Sequence, residues 1–287
     1  MSGRAASGGA GGPGSLQWKV GLVNHLNKYF TAESFGFKIN AAGANLRKKQ
    51  MWTIEQDPHE EDTVYFRSHL GKYLAGDKKG VATCSSDERG DSEKFVIQYH
   101  PDGSGRWAIG NRTTGYYLGG TDEMCQCYEK SPTASEWWTV HLAIHPQVNL
   151  RNVNRSKYAR LDEATSHIQV TEVIPWGQDS LITLEYRDGC YSVKPCDNRY
   201  LSRDGSLVNN PSQDTQFTLE IKSGQYSGMA LRDCTGKYLT AVGKDAVMQA
   251  RNKAIGKDEL FIIEDSQPQC FFTAHNGKMA SIKQGEG

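Results

Sequence analysis

Two stretches of this sequence carry residue types that could do chemistry. His59-Glu60-Glu61-Asp62 gathers an imidazole and three carboxylates, the groups of general acid–base catalysis. Cys125-x-Cys127 could open a metal site, but a structural zinc site needs four ligands and no second pair lies nearby. No G-x-S-x-G, H-E-x-x-H or P-loop occurs, and the Gly-rich stretches are the N-terminus and turns such as Asp102-Gly103-Ser104-Gly105. The acidic quartet falls between two apolar alternations, where a polar loop is expected. The sequence reads as that of a binding protein that is not an enzyme and needs no cofactor or metal.

Three shorter matches fail on context. Arg89-Gly90-Asp91 has the form of an integrin-binding tripeptide, but three residues recur by chance and Ser85 to Glu93 reads as a polar hairpin loop. Asn111-Arg112-Thr113 and Asn154-Arg155-Ser156 are glycosylation sequons, which need a secretory route that no apolar segment after Met1 announces. The 7 Cys, odd in number and scattered, suit reduced thiols in a reducing compartment.

Charge is the remaining resource for binding. The net charge is zero, which gives no global attraction to nucleic acid. No 18-residue apolar run exists to span a membrane, so a soluble, intracellular protein is expected. Positive charge is concentrated locally in Arg47-Lys48-Lys49, in Lys78-Lys79, in Arg155-Ser156-Lys157 with Arg160, and in Arg251-x-Lys253 with Lys257. Any one cluster defaults to a solvated surface. Several on one rigid scaffold can make a multi-point contact with a polyanionic partner, because weak contacts combine through effective concentration.

The elements that must position these clusters come from a repeat. A small or polar pair, a basic residue, Tyr and an apolar residue recur as Asn27-Lys28-Tyr29-Phe30, Gly71-Lys72-Tyr73-Leu74, Ser156-Lys157-Tyr158-Ala159, Asn198-Arg199-Tyr200-Leu201 and Gly236-Lys237-Tyr238-Leu239. Gly115-Tyr116-Tyr117-Leu118 is a variant, and Gly277-Lys278-Met279-Ala280 begins a seventh copy. The anchors lie 38 to 44 residues apart, the spacing of a repeated supersecondary unit. Before each anchor an apolar alternation ends in a polar turn, and some 20 residues after it a large residue closes the unit: Trp52, Phe95, Trp138, Leu181, Phe217 and Phe261. Such alternation, punctuated by Gly, Asn and Asp, marks short antiparallel strands joined by hairpins.

Four short strands per unit fit a propeller blade or one third of a β-trefoil. The anchor Tyr and the closing aromatic suit a barrel with a hairpin cap, both assigned to the core, and a Pro after a finished strand at Ala143-Ile144-His145-Pro146 divides the six units three plus three. The fold class is thus all-β, as tandem β-trefoils. Residues 17–144 form the first, 145–266 the second, and 267–287 open a third, truncated one. Residues 1–16, rich in Gly and Ser, are expected to be a disordered tail.

Several segments resemble the fascin family. They include Lys28-Tyr29-Phe30-Thr31-Ala32-Glu33-Ser34-Phe35-Gly36-Phe37-Lys38, Leu46-Arg47-Lys48-Lys49-Gln50-Met51-Trp52-Thr53, Pro175-Trp176-Gly177-Gln178-Asp179-Ser180-Leu181-Ile182 and Gly256-Lys257-Asp258-Glu259-Leu260-Phe261. The resemblance implies a cytoplasmic, monomeric protein of four β-trefoils that binds F-actin and crosslinks parallel filaments in filopodia and other protrusions. It also implies that Leu46 to Lys49 is an actin-binding segment, and that Arg155 and Lys157 belong to a second basic cluster. Arg251, Lys253 and Lys257 join the candidate sites on charge.

The chain departs from that pattern. Where relatives commonly place a phosphorylatable Ser before the Leu of the basic segment, this chain has Asn45, so the phosphate switch beside Arg47 to Lys49 is expected to be absent. Cys190 and Asn210 stand where some relatives carry basic residues. The chain has about half a fascin's length, so binding without bundling is the expectation. The alternative class is a carbohydrate- or heparin-binding trefoil. Ricin-type trefoils repeat Gln-x-Trp, which occurs here once, at Gln50-Met51-Trp52, and a heparin site would want a stronger basic excess.

Overall fold

The computed structural model describes residues 17–224, 226–266 and His275. The expected tail at 1–16 and the expected start of a third trefoil at 267–287 lie outside the described residues, His275 apart. The first half contains β1 (Gln17–Val23), β2 (Tyr29–Ala32), β3 (Ile39–Gly43), β4 (Trp52–Gln56), β5 (Thr63–Ser68) and β6 (Tyr73–Gly76). It continues with β7 (Ala82–Ser86), β8 (Phe95–Tyr99), β9 (Trp107–Asn111), β10 (Tyr117–Gly120), β11 (Cys125–Glu129) and β12 (Trp137–Leu142).

Pairing of these strands closes a ring. β1 pairs with β4, β4 with β5, β5 with β8, β8 with β9, β9 with β12, and β12 again with β1. Three hairpins, β2–β3, β6–β7 and β10–β11, cap one end. A six-stranded antiparallel barrel with three capping hairpins is a β-trefoil, and closure leaves the barrel no open edge.

The second half repeats the plan with β13 (Gln147–Asn152), β14 (Tyr158–Asp162), β15 (His167–Glu172), β16 (Ile182–Arg187), β17 (Cys190–Lys194) and β18 (Tyr200–Leu201). Then come β19 (Leu207–Val208), β20 (Thr218–Lys222), β21 (Gly228–Arg232), β22 (Tyr238–Val242), β23 (Val247–Asn252) and β24 (Phe261–Asp265). The ring runs β13–β16–β17, crosses to β20 through the bridge Tyr191↔Phe217, and returns through β21 and β24 to β13.

Burial refines which residues of each repeat form the core. The residue after each anchor Tyr, namely Phe30, Leu74, Leu118, Ala159, Leu201 and Leu239, is fully buried. Of the tyrosines themselves only Tyr73 and Tyr238 are buried, and the other four are half-buried at the barrel rim. A strand alternates its faces, so the neighbour of a rim residue must point inward. The closing positions Trp52, Phe95, Trp138, Phe217 and Phe261 are core as expected, whereas in the fourth repeat Ile182 is buried and Leu181 only half so. Phe30 stacks on Trp52 at 4.5 Å, and the Trp52 and Trp138 indoles donate to the carbonyls of Phe30 and Leu118.

The two barrels share one hydrophobic core cluster and exchange hydrogen bonds reciprocally. Tyr99, at the end of β8, donates its hydroxyl to the Ile221 carbonyl at 2.7 Å and accepts from the Ile221 N–H at 2.9 Å. Tyr191, on β17, does the same in the other direction, donating to the Val140 carbonyl and accepting from the Leu142 N–H, both at 2.9 Å. The Trp107 indole donates to the Leu219 carbonyl at 2.9 Å. Each clamp satisfies a backbone pair on the facing barrel that burial would otherwise leave orphaned. The trefoils are therefore held at a fixed relative placement.

A pH dependence follows at this interface. His141 of β12 stacks on Tyr186 of β16 with centroids 4.0 Å apart, and its Nδ1 lies 3.0 Å from the Tyr29 hydroxyl. Burial holds the His141 imidazole below its usual range, so the fold favours the neutral ring. Its contribution is full above the unfolded pKa of about 6.5 and is lost progressively as pH falls below that value. Thermal melts of the wild-type protein should lose stability on acidification through that window, and His141→Asn should flatten the profile there. An unchanged profile in the variant would count against this assignment.

Candidate functional site

The first basic cluster sits on a single-turn 3-10 helix, Lys48–Gln50, between β3 and β4. Its presentation follows from its flanks. Leu46 packs on the face left open by Gly21, where an added Cβ would meet Leu46 Cδ1 at 2.6 Å. Gln50 is buried, its Oε1 accepts from the Arg47 N–H at 3.3 Å, and its Nε2 donates to Thr31 Oγ1 at 3.0 Å. Gly43 leaves room for that side chain, since a Cβ there would lie 2.8 Å from Gln50 Cγ. With Leu46 and Gln50 fixed, Arg47, Lys48 and Lys49 are all exposed.

Electrostatics around the turn is positive. Lys49 pairs with Glu33 at 2.8 Å, a partly exposed pair that contributes little to stability. The hydrogen bond from Lys49 holds the Glu33 carboxyl below its usual range. Burial first, then the Lys48 and Lys49 ammonium groups, hold the His69 imidazole below its own.

The same turn recurs in every repeat. Gln50, Glu93, Glu136, Ser180, Thr215 and Glu259 are all buried, each two residues before the strand's closing core residue. Gly90, Thr133 and Gly256 donate their N–H to Glu93, Glu136 and Glu259 at 2.8 to 2.9 Å, and Ser212 donates to Thr215 Oγ1 at 2.9 Å. This is the back-reaching half of a capping box, and the return bond runs from the backbone N–H of Glu93, Glu136, Thr215 and Glu259 to the carbonyls of Gly90, Thr133, Ser212 and Gly256. The two positions before the buried polar residue, exposed or half-buried, differ from repeat to repeat: Asp91-Ser92, Ala134-Ser135, Gln178-Asp179, Gln213-Asp214, but Lys48-Lys49 in the first and Lys257-Asp258 in the sixth. The fixed offset of these buried polar residues is visible in the sequence, and it was the signal for the supporting residues that charge alone overlooks.

The second cluster converges from three segments. Arg155 Nη2 donates to the carbonyls of Ala241 and Gly243 at 3.1 and 3.2 Å, docking its turn on the β22–β23 hairpin. Asn152 accepts from the Arg155 N–H at 2.9 Å and donates to the Asp258 carbonyl at 2.8 Å, which ties that turn to the one carrying Lys257. Arg155, Arg251 and Asp258 line one open polar cavity of about 260 Å³. Lys257 lies over the Tyr226 ring at 5.9 Å, and Lys157 and Lys253 are exposed. Of the two second-cluster arginines lining this cavity, Arg155 is largely occupied by backbone and Arg251 is the more available.

The other motifs resolve into structure. Glu60 pairs with Lys94 and Arg112, and Asp62 pairs with Lys222 of the other barrel, so the acidic quartet is a salt-bridged loop. Among the described residues, no group of three or more His, Cys, Asp or Glu could hold a metal. Cys125 and Cys127 are buried; burial pushes the Cys127 thiol up to about 12 and the Cys125 thiol well above its usual range. Arg89 pairs with the buried Glu55 and donates to the Tyr73 hydroxyl, so the tripeptide is tied into the barrel. Asn111 is 1% exposed and donates to the Ser92 carbonyl, which closes it to a glycan. No helix among the described residues is long and apolar enough to cross a membrane.

Comparison with known proteins matches the family model described as Fascin domain twice, at residues 26–140 and 148–263. Fascin-2 of Bos taurus is 43% identical over 272 residues, which is 94% of this chain and 54% of that protein. Fascin of Strongylocentrotus purpuratus is 39% identical over 280 residues, 95% of this chain and 55% of that protein. The chain thus spans about half the length of these curated relatives. A designed 3-fold symmetric protein, ThreeFoil, covers 43% of the chain at 18% identity with a TM-score of 0.37.

Proposed function

The chain belongs to the fascin family, a family of actin-bundling proteins, and on that premise we propose that it binds actin filaments through two basic surfaces. The observation that carries this reading is the placement of Arg47, Lys48 and Lys49 on one barrel and of Arg155, Lys157, Arg251, Lys253 and Lys257 on a second barrel clamped to it. Crosslinking needs two contacts at a fixed separation, and rigid barrels with exposed cations on braced turns supply that geometry. As domain bounds we propose residues 17–144 and 145–266. The protein acts as a monomer in the cytoplasm, on filaments of filopodia and other protrusions, without chemistry of its own.

The resemblance implies that one filament surface also draws on a trefoil beyond these two. We therefore expect this chain to bind filaments and to bundle them poorly. Co-sedimentation at high speed should pellet it with filaments, while low-speed spins should leave most filaments in the supernatant. Low-speed bundling equal to that of a four-trefoil relative would refute the second half of the reading. Absence from the high-speed pellet would refute the first.

A further inference from the structure

We propose, on the premise that the chain binds filaments, that the β2–β3 turn adds an aromatic anchor to the first basic surface. This turn holds six residues, 33–38, against four or five in the five equivalent turns. It alone among them carries aromatic residues, Phe35 and Phe37 around Gly36. Phe35 is 92% exposed. Phe37 adopts φ +50°, a left-handed conformation uncommon for a bulky residue, and Gly36 follows the same path at φ +70°. Phe37 is 43% exposed, so the turn leaves both rings open to solvent.

The rings do not stand alone. Val81, Met124 and Tyr128, from the other two hairpins of the cap, are exposed around an open groove of about 560 Å³ that Phe37 also lines, with Phe35 two residues before it on the same turn. These five account for half of the ten exposed large hydrophobic residues found among the described residues. In the second trefoil the matching turns read Glu163-Ala164-Thr165-Ser166, Ser202-Arg203-Asp204-Gly205-Ser206 and Gly243-Lys244-Asp245-Ala246, so the fold does not demand an apolar cap. An apolar surface concentrated in this way marks an interaction site.

Charge identifies the occupant. Glu33, which opens the aromatic turn, is ion-paired with Lys49, so the rings and the basic turn share one continuous surface. Lys72 lies over the Phe37 ring at 5.3 Å and pairs with Asp87, Lys38 follows in the turn, and Lys78 and Lys79 precede Val81 in its turn. On the far side Asp77, Asp122 and Glu123 are exposed carboxylates, Asp77 accepting through Oδ1 from the backbone N–H groups of Lys79 and Val81. Aromatic rings fringed by cations fit a filament surface that sets carboxylates beside an apolar recess. Aromatic anchors ringed by polar contacts are the usual form of an interface hot spot.

The experiment is filament co-sedimentation of wild type, Phe35→Ala and Phe35→Trp over a series of salt concentrations, with sedimentation velocity of each variant alone. Because Phe35 is exposed, neither substitution should disturb the fold, and circular dichroism checks that. The expected result is a loss of about tenfold in affinity for Phe35→Ala at every salt, with the salt dependence unchanged and Phe35→Trp near wild type. Wild-type affinity in Phe35→Ala would overturn the anchor while leaving filament binding standing. Failure of wild type to bind would overturn both. A wild-type dimer that Phe35→Ala dissolves would assign the face to self-association and overturn the filament assignment.

Discussion

Lys48→Glu/Lys49→Glu is expected to weaken filament binding by about 2 kcal/mol or more, roughly thirtyfold, with no loss of fold. The reason lies in how the turn is built. Its structural work is done by Leu46 and Gln50, which are left untouched, while the two lysines point to solvent. The double substitution breaks the exposed ion pair of Lys49 with Glu33, which supports the fold by well under about 1 kcal/mol. Reversal replaces two cations by two anions, and Glu33 adds a third once released. High-speed co-sedimentation with matched melting curves reads the effect, and an unchanged affinity would remove this turn from the interface. Arg251→Glu tests the second surface separately, since the loss of one surface should spare the other.

The largest stability effect is expected at Trp107. Trp107→Ala should destabilise the protein by about 3–5 kcal/mol, which in a domain pair of this size lowers Tm by about 10 °C or more. Trp107 is fully buried, packs edge-on against Tyr99 at 5.7 Å, and donates to the Leu219 carbonyl of the other barrel. Truncation leaves that carbonyl without its donor and removes the support of Tyr99, whose hydroxyl clamps Ile221. Loss should therefore appear as uncoupling as well as destabilisation, with calorimetry resolving two transitions. Trp138→Ala is the control, because that indole is equally buried but donates within its own barrel, to the Leu118 carbonyl. A single transition in Trp107→Ala at nearly the wild-type temperature would mean that the barrels are joined elsewhere.

The sequence by itself determined what is local or repeated. Strand alternation, the period of the Tyr anchor and the spacing of the closing aromatics are patterns within about 40 residues, and six copies reinforced one another until only a closed β-architecture fitted. The exposed basic turn at Arg47 to Lys49 was legible for the same reason, as charge between two core-facing positions. Local pattern left small errors of register, since adjacent strand residues point to opposite faces: the residue after the Tyr is fully buried at every anchor while the Tyr itself is buried only at Tyr73 and Tyr238, and the fourth repeat closes on Ile182, one place beyond Leu181.

Tertiary structure decided everything that joins distant parts of the chain. Arg89 is fixed by Glu55, Arg155 by the carbonyls of Ala241 and Gly243, and each barrel's tyrosine by the other barrel's backbone. A hydrogen bond to a backbone carbonyl asks nothing of the side chain that owns it, so the partner leaves no mark in the sequence. The cap of the first trefoil is a like case. Phe37, Val81 and Met124 are hydrophobic residues in turns, unremarked one by one, and only the threefold closure of the barrel brings them to one groove.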